Sequence, residues 1–340
     1  MILTLYTEMN VIVTGSLGYD YIMDFSGRFA DRIIDDKIHK ISLSFLVDTL
    51  KRNFGGTAGN FAYTSNLLGL HSILLSTVGN DFQPYKEFLE KQKIETKYIA
   101  ELPDILTGTY FGVTDQDDNQ IGAYYGAPLR NNINLSIKKI TIPIDFVHIS
   151  PHNPKAMVKQ IKECQSMNLK YMYDPAFQTG DFSRDELREG IAGAEILIGN
   201  DYEIELISEK AGVTHEELRT MVPVLVTTLG SKGSVVETRR DSIHVKPAIP
   251  KNTSDPTGAG DAYRAGFVAG YLHFAANHPR GESFRTSGAY LSVDELQVCG
   301  QIGSVAAVYT VEKYGTQTHT FTINKFKERY KQNYGTELTI

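Results

Sequence analysis

The 340-residue chain holds only two cysteines, and Cys164 and Cys299 stand too far apart for a CxxC or other metal-like spacing. Two free thiols in a reducing cytoplasm are expected. No lysine- or arginine-rich run occurs, and the net charge of −6 comes from interspersed acids and bases. This argues against nucleic acid or an anionic membrane as the main partner. A small anion, which needs only a few local donors, stays open. No apolar run approaches the roughly 20 residues that span a bilayer. The first segment, MILTLYTEMNVIVTG, has no basic stretch and no small-residue cleavage site. A soluble cytoplasmic protein with no membrane partner is expected. The chain has no internal repeat and no low-complexity tract.

Several catalytic signatures are missing too. A Walker A loop needs GxxxxGK[ST], which neither GSKGS nor GAGDAYRAG supplies. GAGDAY has two glycines of a dinucleotide fingerprint but Tyr263 in place of the third, and it lies near the end of the chain. HExxH and GxSxG do not occur. His148 and His152, in HISPH, straddle a strand-to-loop junction and read as loop or core histidines rather than metal ligands.

What the chain does hold is alternation. At 41% apolar residues it can bury a sizeable core, and its length suits one large α/β domain or one domain with a smaller appendage. NVIVTG (10–15), SILLSTVG (72–79), IDFVHIS (144–150), KYMYDP (170–175), EILIGN (195–200) and VLVTTLG (224–230) are short apolar, β-branched runs that end in turn residues. Between such runs, NFAYTSNLLG (60–69), AMVKQIKECQSMN (156–168) and RDELREGIAGA (184–194) carry helical periodicity. This predicts an α/β fold: a mostly parallel central sheet with helices on both faces, and ligands at the carboxyl ends of its strands. Two segments, about 19–50 and 105–125, break the pattern. The second reads as a hairpin around TDQDDNQ. They suggest a small β-sheet lid inserted in a single domain spanning 1–340, or an edge extension of the main sheet. NHPRGESFRTSG (277–288) reads as a long loop between two helices.

NTSDPTGAGDAYRAG (252–266) carries the most chemistry. Gly258, Ala259 and Gly260 precede a helical pattern, so their N–H groups and the helix dipole make a ready anion site. Asp261 falls in the first helical turn, placed to take a proton from an attacking alcohol. Asp255 and Asp261 could equally be simple helix caps. Other polar groups stand at predicted strand ends: Asp20 in GSLGYD, Gly55, Gly56 and Asn60 in FGGTAGNFAY, and Asn200 and Glu203 in GNDYEIE, an oxygen set that suits Mg²⁺. Taken singly, each also reads as a turn, a cap or a solvated helix face.

Together these residues resemble the ribokinase-like (PfkB) carbohydrate and nucleoside kinases over nearly the whole chain. DPTGAGDAYRAGF is similar to the family's C-terminal signature, GGTAGNFAYTSNLLG to its di-glycine signature, and NDYE to its Asn-x-x-Glu motif. DDNQIGAYYGA and VEKYGTQTH are most similar to bacterial adenosine and broad-specificity nucleoside kinases. The resemblance implies an α/β core with a β lid and transfer of the γ-phosphoryl of ATP to a primary hydroxyl. By matching position, Asp261 is implied as the base, with the backbone of Thr257, Gly258, Ala259 and Gly260 stabilising the phosphoryl. Asp20 is implied to bind ribose hydroxyls, assisted by Gly55, Gly56 and Asn60. Thr228, Gly230 and Gly233 are implied along the nucleotide with Thr257, and residues 299–304 as the adenine wall. Asn200 and Glu203 are implied to organise Mg²⁺, and Asp255 a monovalent cation such as K⁺. Adenosine is the expected acceptor, with inosine or guanosine as further nucleosides. Tyr19, Phe25, Phe111 and Tyr125 are candidates for a base slot. A sugar kinase acting on ribose or fructose, and a non-catalytic ligand-binding relative, are the alternatives. The apolar ISLSFLV (41–47) is compatible with a homodimer or a monomer.

Overall fold

Val11 and Val13 pack into one apolar cluster, and Ile12 between them packs into another on the opposite side. The same division recurs at Phe146 and Val147, at Ile196 and Leu197, and at Val224 and Leu225. Strands covered on both faces read as continuous apolar runs, which is why they stand out in the sequence. The computed structural model describes residues 9–33, 44–117, 119–277 and 291–339.

The strands in chain order are β1 (Asn10–Thr14), β2 (Gly18–Asp24), β3 (Thr49–Gly55), β4 (His71–Gly79), β5 (Ile99–Leu102), β6 (Gly108–Thr114) and β7 (Gln120–Tyr125). They continue with β8 (Phe146–Ile149), β9 (Tyr171–Tyr173), β10 (Ile196–Asn200), β11 (Val224–Thr228), β12 (Ser234–Glu237) and β13 (Ser242–Val245). Nine of them form one sheet in the order β13-β12-β11-β10-β9-β8-β1-β4-β5. Pairing is parallel from β5 to β11, and antiparallel only where β12 and β13 join at one edge.

Helices cover both faces. The cluster holding Val11 includes residues of α1 (Thr57–Leu67), α2 (Gln83–Lys91), α7 (Ala259–Asn277), α8 (Val293–Val311) and α9 (Ile323–Tyr334). The cluster holding Ile12 includes residues of α3 (Pro154–Ser166), α4 (Arg184–Gly193), α5 (Asp201–Ala211) and α6 (His215–Met221). Four of these helices, α4, α5, α6 and α8, start with a reciprocal capping box, which satisfies two otherwise orphaned N–H groups at each start. The helices α7 and α8 touch through small residues: a Cβ at Gly266 would lie 2.7 Å from Gly303 Cα. That close approach sets where the amino end of α7 comes to rest.

The remaining strands make a second, four-stranded sheet in the order β3-β2-β6-β7. The expected hairpin is β6–β7. The first inserted segment runs further than expected, since β3 continues to Gly55 and carries the di-glycine to the sheet's edge. Residues 34–43 of that segment, which include part of ISLSFLV, lie outside the described residues, as do 278–288 of the expected long loop. Among the described residues, no helix is long and apolar enough to cross a membrane.

Candidate active site

Two cavities meet at the amino end of α7. The first, of about 830 Å³, is lined by Ser16, Asp20, Gly56, Thr57, Asn60, Asp255, Thr257, Gly258 and Asp261, and by the inner side of the small sheet. The second, of about 420 Å³, is lined by Thr228, Gly230, Gly233, Ala259 and Gly260, together with Pro247, Ala248 and Pro250 and one side of α8. The Thr257–Gly260 turn is the partition, and Pro256 borders both. Thr257, expected with the nucleotide residues, faces the first cavity.

Each group in the first cavity is there for a local reason. Asp20 lies on β2 opposite Asn53 of β3 and Tyr110 of β6. A Cβ at Gly55 would lie 2.1 Å from Asp20 Oδ2, so only glycine admits the carboxylate. Gly56 has φ +88°, and its Cβ would strike the Ser16 carbonyl at 2.5 Å. Asn60, in the first turn of α1, donates from Nδ2 to Asp261 Oδ2 at 2.8 Å. Burial pushes the Asp20 carboxyl up to about 6, helped by the charges of Asp261 and Asp255. Burial likewise raises Asp261 to about 6, against the pull of Arg264 and the Asn60 hydrogen bond.

Arg264, one turn after Asp261, went unassigned in the sequence. It is buried, with Nε 2.6 Å from Asp174 Oδ2, Nη2 3.2 Å from Asp174 Oδ1 and Nη2 3.8 Å from Glu203 Oε2. A Cβ at Gly260 would lie 2.6 Å from Nη1. The guanidinium is therefore the local counter-charge to Asp174, Glu203 and Asp261, held directly under the Thr257–Gly260 turn. Its signal in the sequence was a basic residue inside an otherwise small and apolar helix start, paired with an Asp-Pro at a strand end.

Asn200 and Glu203 cap α5 reciprocally, at 2.7 and 2.8 Å, and Asn200 pairs with Thr228 across β10 and β11. Burial raises the Glu203 carboxyl. Asp255 lies apart from them. Its Oδ1 accepts from Thr257 N at 2.9 Å and its Oδ2 from Gly315 N at 3.0 Å, which tie the 252–258 and 313–318 loops together. The three residues expected for cations thus divide between two places. Among the described residues no group of three or more His, Cys, Asp or Glu side chains is placed to hold a metal. His148 and His152 are fully buried, and burial lowers the pKa of each, His152 to about 4.

The candidates for a base slot need correction. Tyr19 is buried and donates to the Asp81 carbonyl, Phe25 stacks on Phe29 and Phe45, and Phe111 stacks on Tyr21 outside the cavity. Tyr125 faces a separate neighbouring pocket. The rings that do line the cavity are Tyr110 and Tyr124 of the small sheet, Phe177, and Tyr314 beside the Asp255 loop. Side chains alternate across a strand, and the pairing puts Asp20, Tyr110 and Tyr124 in one row across β2, β6 and β7, then Ile22, Gly112 and Gly122 in the next. The Tyr110 side chain lies over the two glycines, where an added Cβ at Gly112 would meet its Cε1 at 2.8 Å and one at Gly122 its Oη at 2.5 Å. In the second cavity, Cys299 is buried against Gly270 instead of forming the wall. Ser304, the last residue of the expected segment, lines the cavity, followed at helical spacing along α8 by Ala307, Val308 and Val311.

Residues 21–322 match the pfkB family carbohydrate kinase model, and the chain belongs to that family. It is a kinase, a phosphotransferase acting on an alcohol group, built on the ribokinase-like α/β fold. A nucleoside kinase of Methanothermobacter thermautotrophicus is 30% identical over 342 residues, covering 98% of this chain and 99% of the relative. The structure of a Burkholderia thailandensis nucleoside kinase in complex with inosine superposes with a TM-score of 0.82 at 28% identity, over 96% of this chain and 99% of that one. The same Burkholderia enzyme is known with ADP and inosine. The Methanocaldococcus jannaschii nucleoside kinase structure gives a TM-score of 0.81 at 27% identity, with the same coverage of both chains.

Proposed function

We propose that this kinase transfers the γ-phosphoryl of ATP to the 5′-hydroxyl of a nucleoside, with adenosine the preferred acceptor. The observation that carries the reading is the first cavity itself. It offers a polar end at Asp20, Asn60 and Asp261, and beyond it a wall of Tyr110, Tyr124 and Phe177 that a lone sugar would leave uncovered. The inosine complex of the Burkholderia enzyme and the resemblance of DDNQIGAYYGA and VEKYGTQTH to adenosine kinases support a purine nucleoside.

In this reading Asp20 accepts hydrogen bonds from the ribose hydroxyls and so points the 5′-hydroxyl at Asp261. Asp261 takes the proton as the hydroxyl attacks. The amino end of α7, with the Gly258–Gly260 amides, stabilises charge on the transferring phosphoryl, and Thr228, Gly230 and Gly233 run along the nucleotide. Phosphoryl transfer asks mainly for such positioning and charge stabilisation. The small sheet acts as a lid that keeps water, a competing nucleophile, out of the first cavity. Asn200 and Glu203 would hold Mg²⁺ through its water shell, an arrangement that needs only one or two carboxylates, and the ion would neutralise phosphate charge. A monovalent cation such as K⁺ would sit by Asp255, whose oxygens each keep a lone pair beyond the backbone N–H they accept.

A coupled ATP-consumption assay across adenosine, inosine, guanosine, cytidine, ribose and fructose tests the acceptor. Nucleosides are expected to turn over, adenosine fastest. Turnover of fructose with no nucleoside would replace this reading by a sugar kinase. The pH profile checks the acid end of the site. Both Asp20 and Asp261 must be ionised and both titrate near 6. kcat/KM is therefore expected to be flat above about pH 7 and to fall below about 6, by about tenfold per pH unit or more steeply. A flat profile from pH 8 to 5 would contradict the raised carboxyls or their roles.

A further inference from the structure

Behind Asp261 runs a buried hydrogen-bond chain whose direction is dictated from both ends. The Gly55 carbonyl at one end can only accept, and so can the ionised Asp261 carboxylate at the other. Tyr85 Oη lies 2.9 Å from the Gly55 oxygen and donates to it. Its lone pairs are then free to accept from Gln317 Nε2 at 2.5 Å. The other Nε2 hydrogen goes to Asn60 Oδ1 at 3.0 Å, which leaves Asn60 Nδ2 facing Asp261 Oδ2. Tyr85 and Gln317 are both buried. Gly59 makes the room: a Cβ there would lie 2.0 Å from Tyr85 Oη and 2.9 Å from Gln317 Nε2. Gln317 Oε1 has no partner among the described residues, so Gln317 acts here through what it donates.

We infer that Gln317 is a positioning residue for phosphoryl transfer, which sets which way round the Asn60 amide faces Asp261. This inference rests on the reading of Asp261 as the base. The oxygen and nitrogen ends of an asparagine amide are nearly equal in shape, so packing alone does not choose between them. A donor at Oδ1 does. With the amide reversed, a carbonyl oxygen would oppose the Asp261 carboxylate, and the base would lose both its aim and a hydrogen bond that favours its ionised form. The segment that carries Gln317 is anchored nearby, with Thr316 Oγ1 donating to the Phe54 carbonyl at 3.0 Å and Gly315 N donating to Asp255.

The test is a double-mutant cycle between Gln317 and Asn60 at saturating ATP and acceptor. Gln317→Met keeps the length and removes the donors, and is expected to lower kcat about tenfold while the KM for ATP changes less than about twofold. Gln317→Glu presents only acceptors, draws the Asn60 amide round and is expected to lower kcat further. In an Asn60→Ala background each change is expected to alter kcat by less than about twofold, since no amide is left to orient. Equal losses in both backgrounds would mark a packing role and overturn the inference, as would an unchanged kcat in folded Gln317→Met. Thermal unfolding reports folding, and Gln317→Glu, which keeps the shape, carries the cycle if the methionine variant unfolds. Asp261→Asn separates the two readings. If it keeps wild-type kcat, the base assignment fails. If it loses kcat while the cycle shows no coupling, only the role of Gln317 falls.

Discussion

Asp261→Asn is expected to lower kcat by at least about 10²-fold, and by up to about 10⁴-fold, with little change in the KM for either substrate. Asparagine keeps the shape of the side chain, and its carbonyl oxygen can still accept from Asn60 Nδ2. The buried Arg264–Asp174 pair does not involve Asp261, so the turn at the start of α7 keeps its anchor. What disappears is the ability to take a proton from the acceptor hydroxyl. Steady-state kinetics with the acceptor varied at fixed ATP separates the two parameters. An unchanged kcat would mean that the proton leaves by another route. The substitution also removes the charge that helps hold the Asp20 carboxyl up near 6. The acid limit for acceptor binding is therefore expected to move to lower pH in this variant.

Asp20→Ala is expected to raise the acceptor KM by at least about 10²-fold and to leave the KM for ATP within about twofold. A carboxylate that accepts two hydroxyls makes two charge-assisted hydrogen bonds, each worth about 1.5–3 kcal/mol. Their loss would fall on binding before chemistry. The environment of Asp20 explains why no neighbour substitutes for it. The space beside it is open only because residue 55 is glycine, and the adjacent charges, Asp261 and Asp255, are of the same sign. An effect confined to ATP affinity would place Asp20 in the wrong cavity.

Much of the fold was legible because both-face burial leaves a plain trace. The six runs expected as strands are β1, β4, β8, β9, β10 and β11, shifted at their ends by no more than two residues. The site was legible at its polar end. Asp20, Gly56, Asn60 and Asp261 line one cavity although β2, α1 and α7 are far apart in the chain. Their types are constrained locally, by a tight turn, a close approach or a helix start, and such constraints show in a sequence. The aromatic wall was not legible, for a different reason. In β6 and β7 aromatic residues stand on both faces, as Tyr110 beside Phe111 and Tyr124 beside Tyr125. Choosing between neighbours requires the register, and a one-residue error exchanges the faces. Within residues 299–304 helical phase decides which side chain reaches the second cavity: the side of α8 that holds Cys299 is taken by Gly270 of α7, while Ser304 faces the cavity with Ala307, Val308 and Val311. Arg264 and Gln317 needed tertiary structure, because each acts through partners far away in the chain.

Identification of the product tests the central claim most directly. The protein would be incubated with adenosine and ATP, and the phosphorylated product separated and its phosphate position assigned by phosphorus NMR. Adenosine 5′-monophosphate, formed in step with ADP, is the result expected from Asp20 holding the ribose and Asp261 facing the 5′-hydroxyl. ADP and free phosphate with no nucleoside monophosphate, or transfer only to a free sugar, would contradict it.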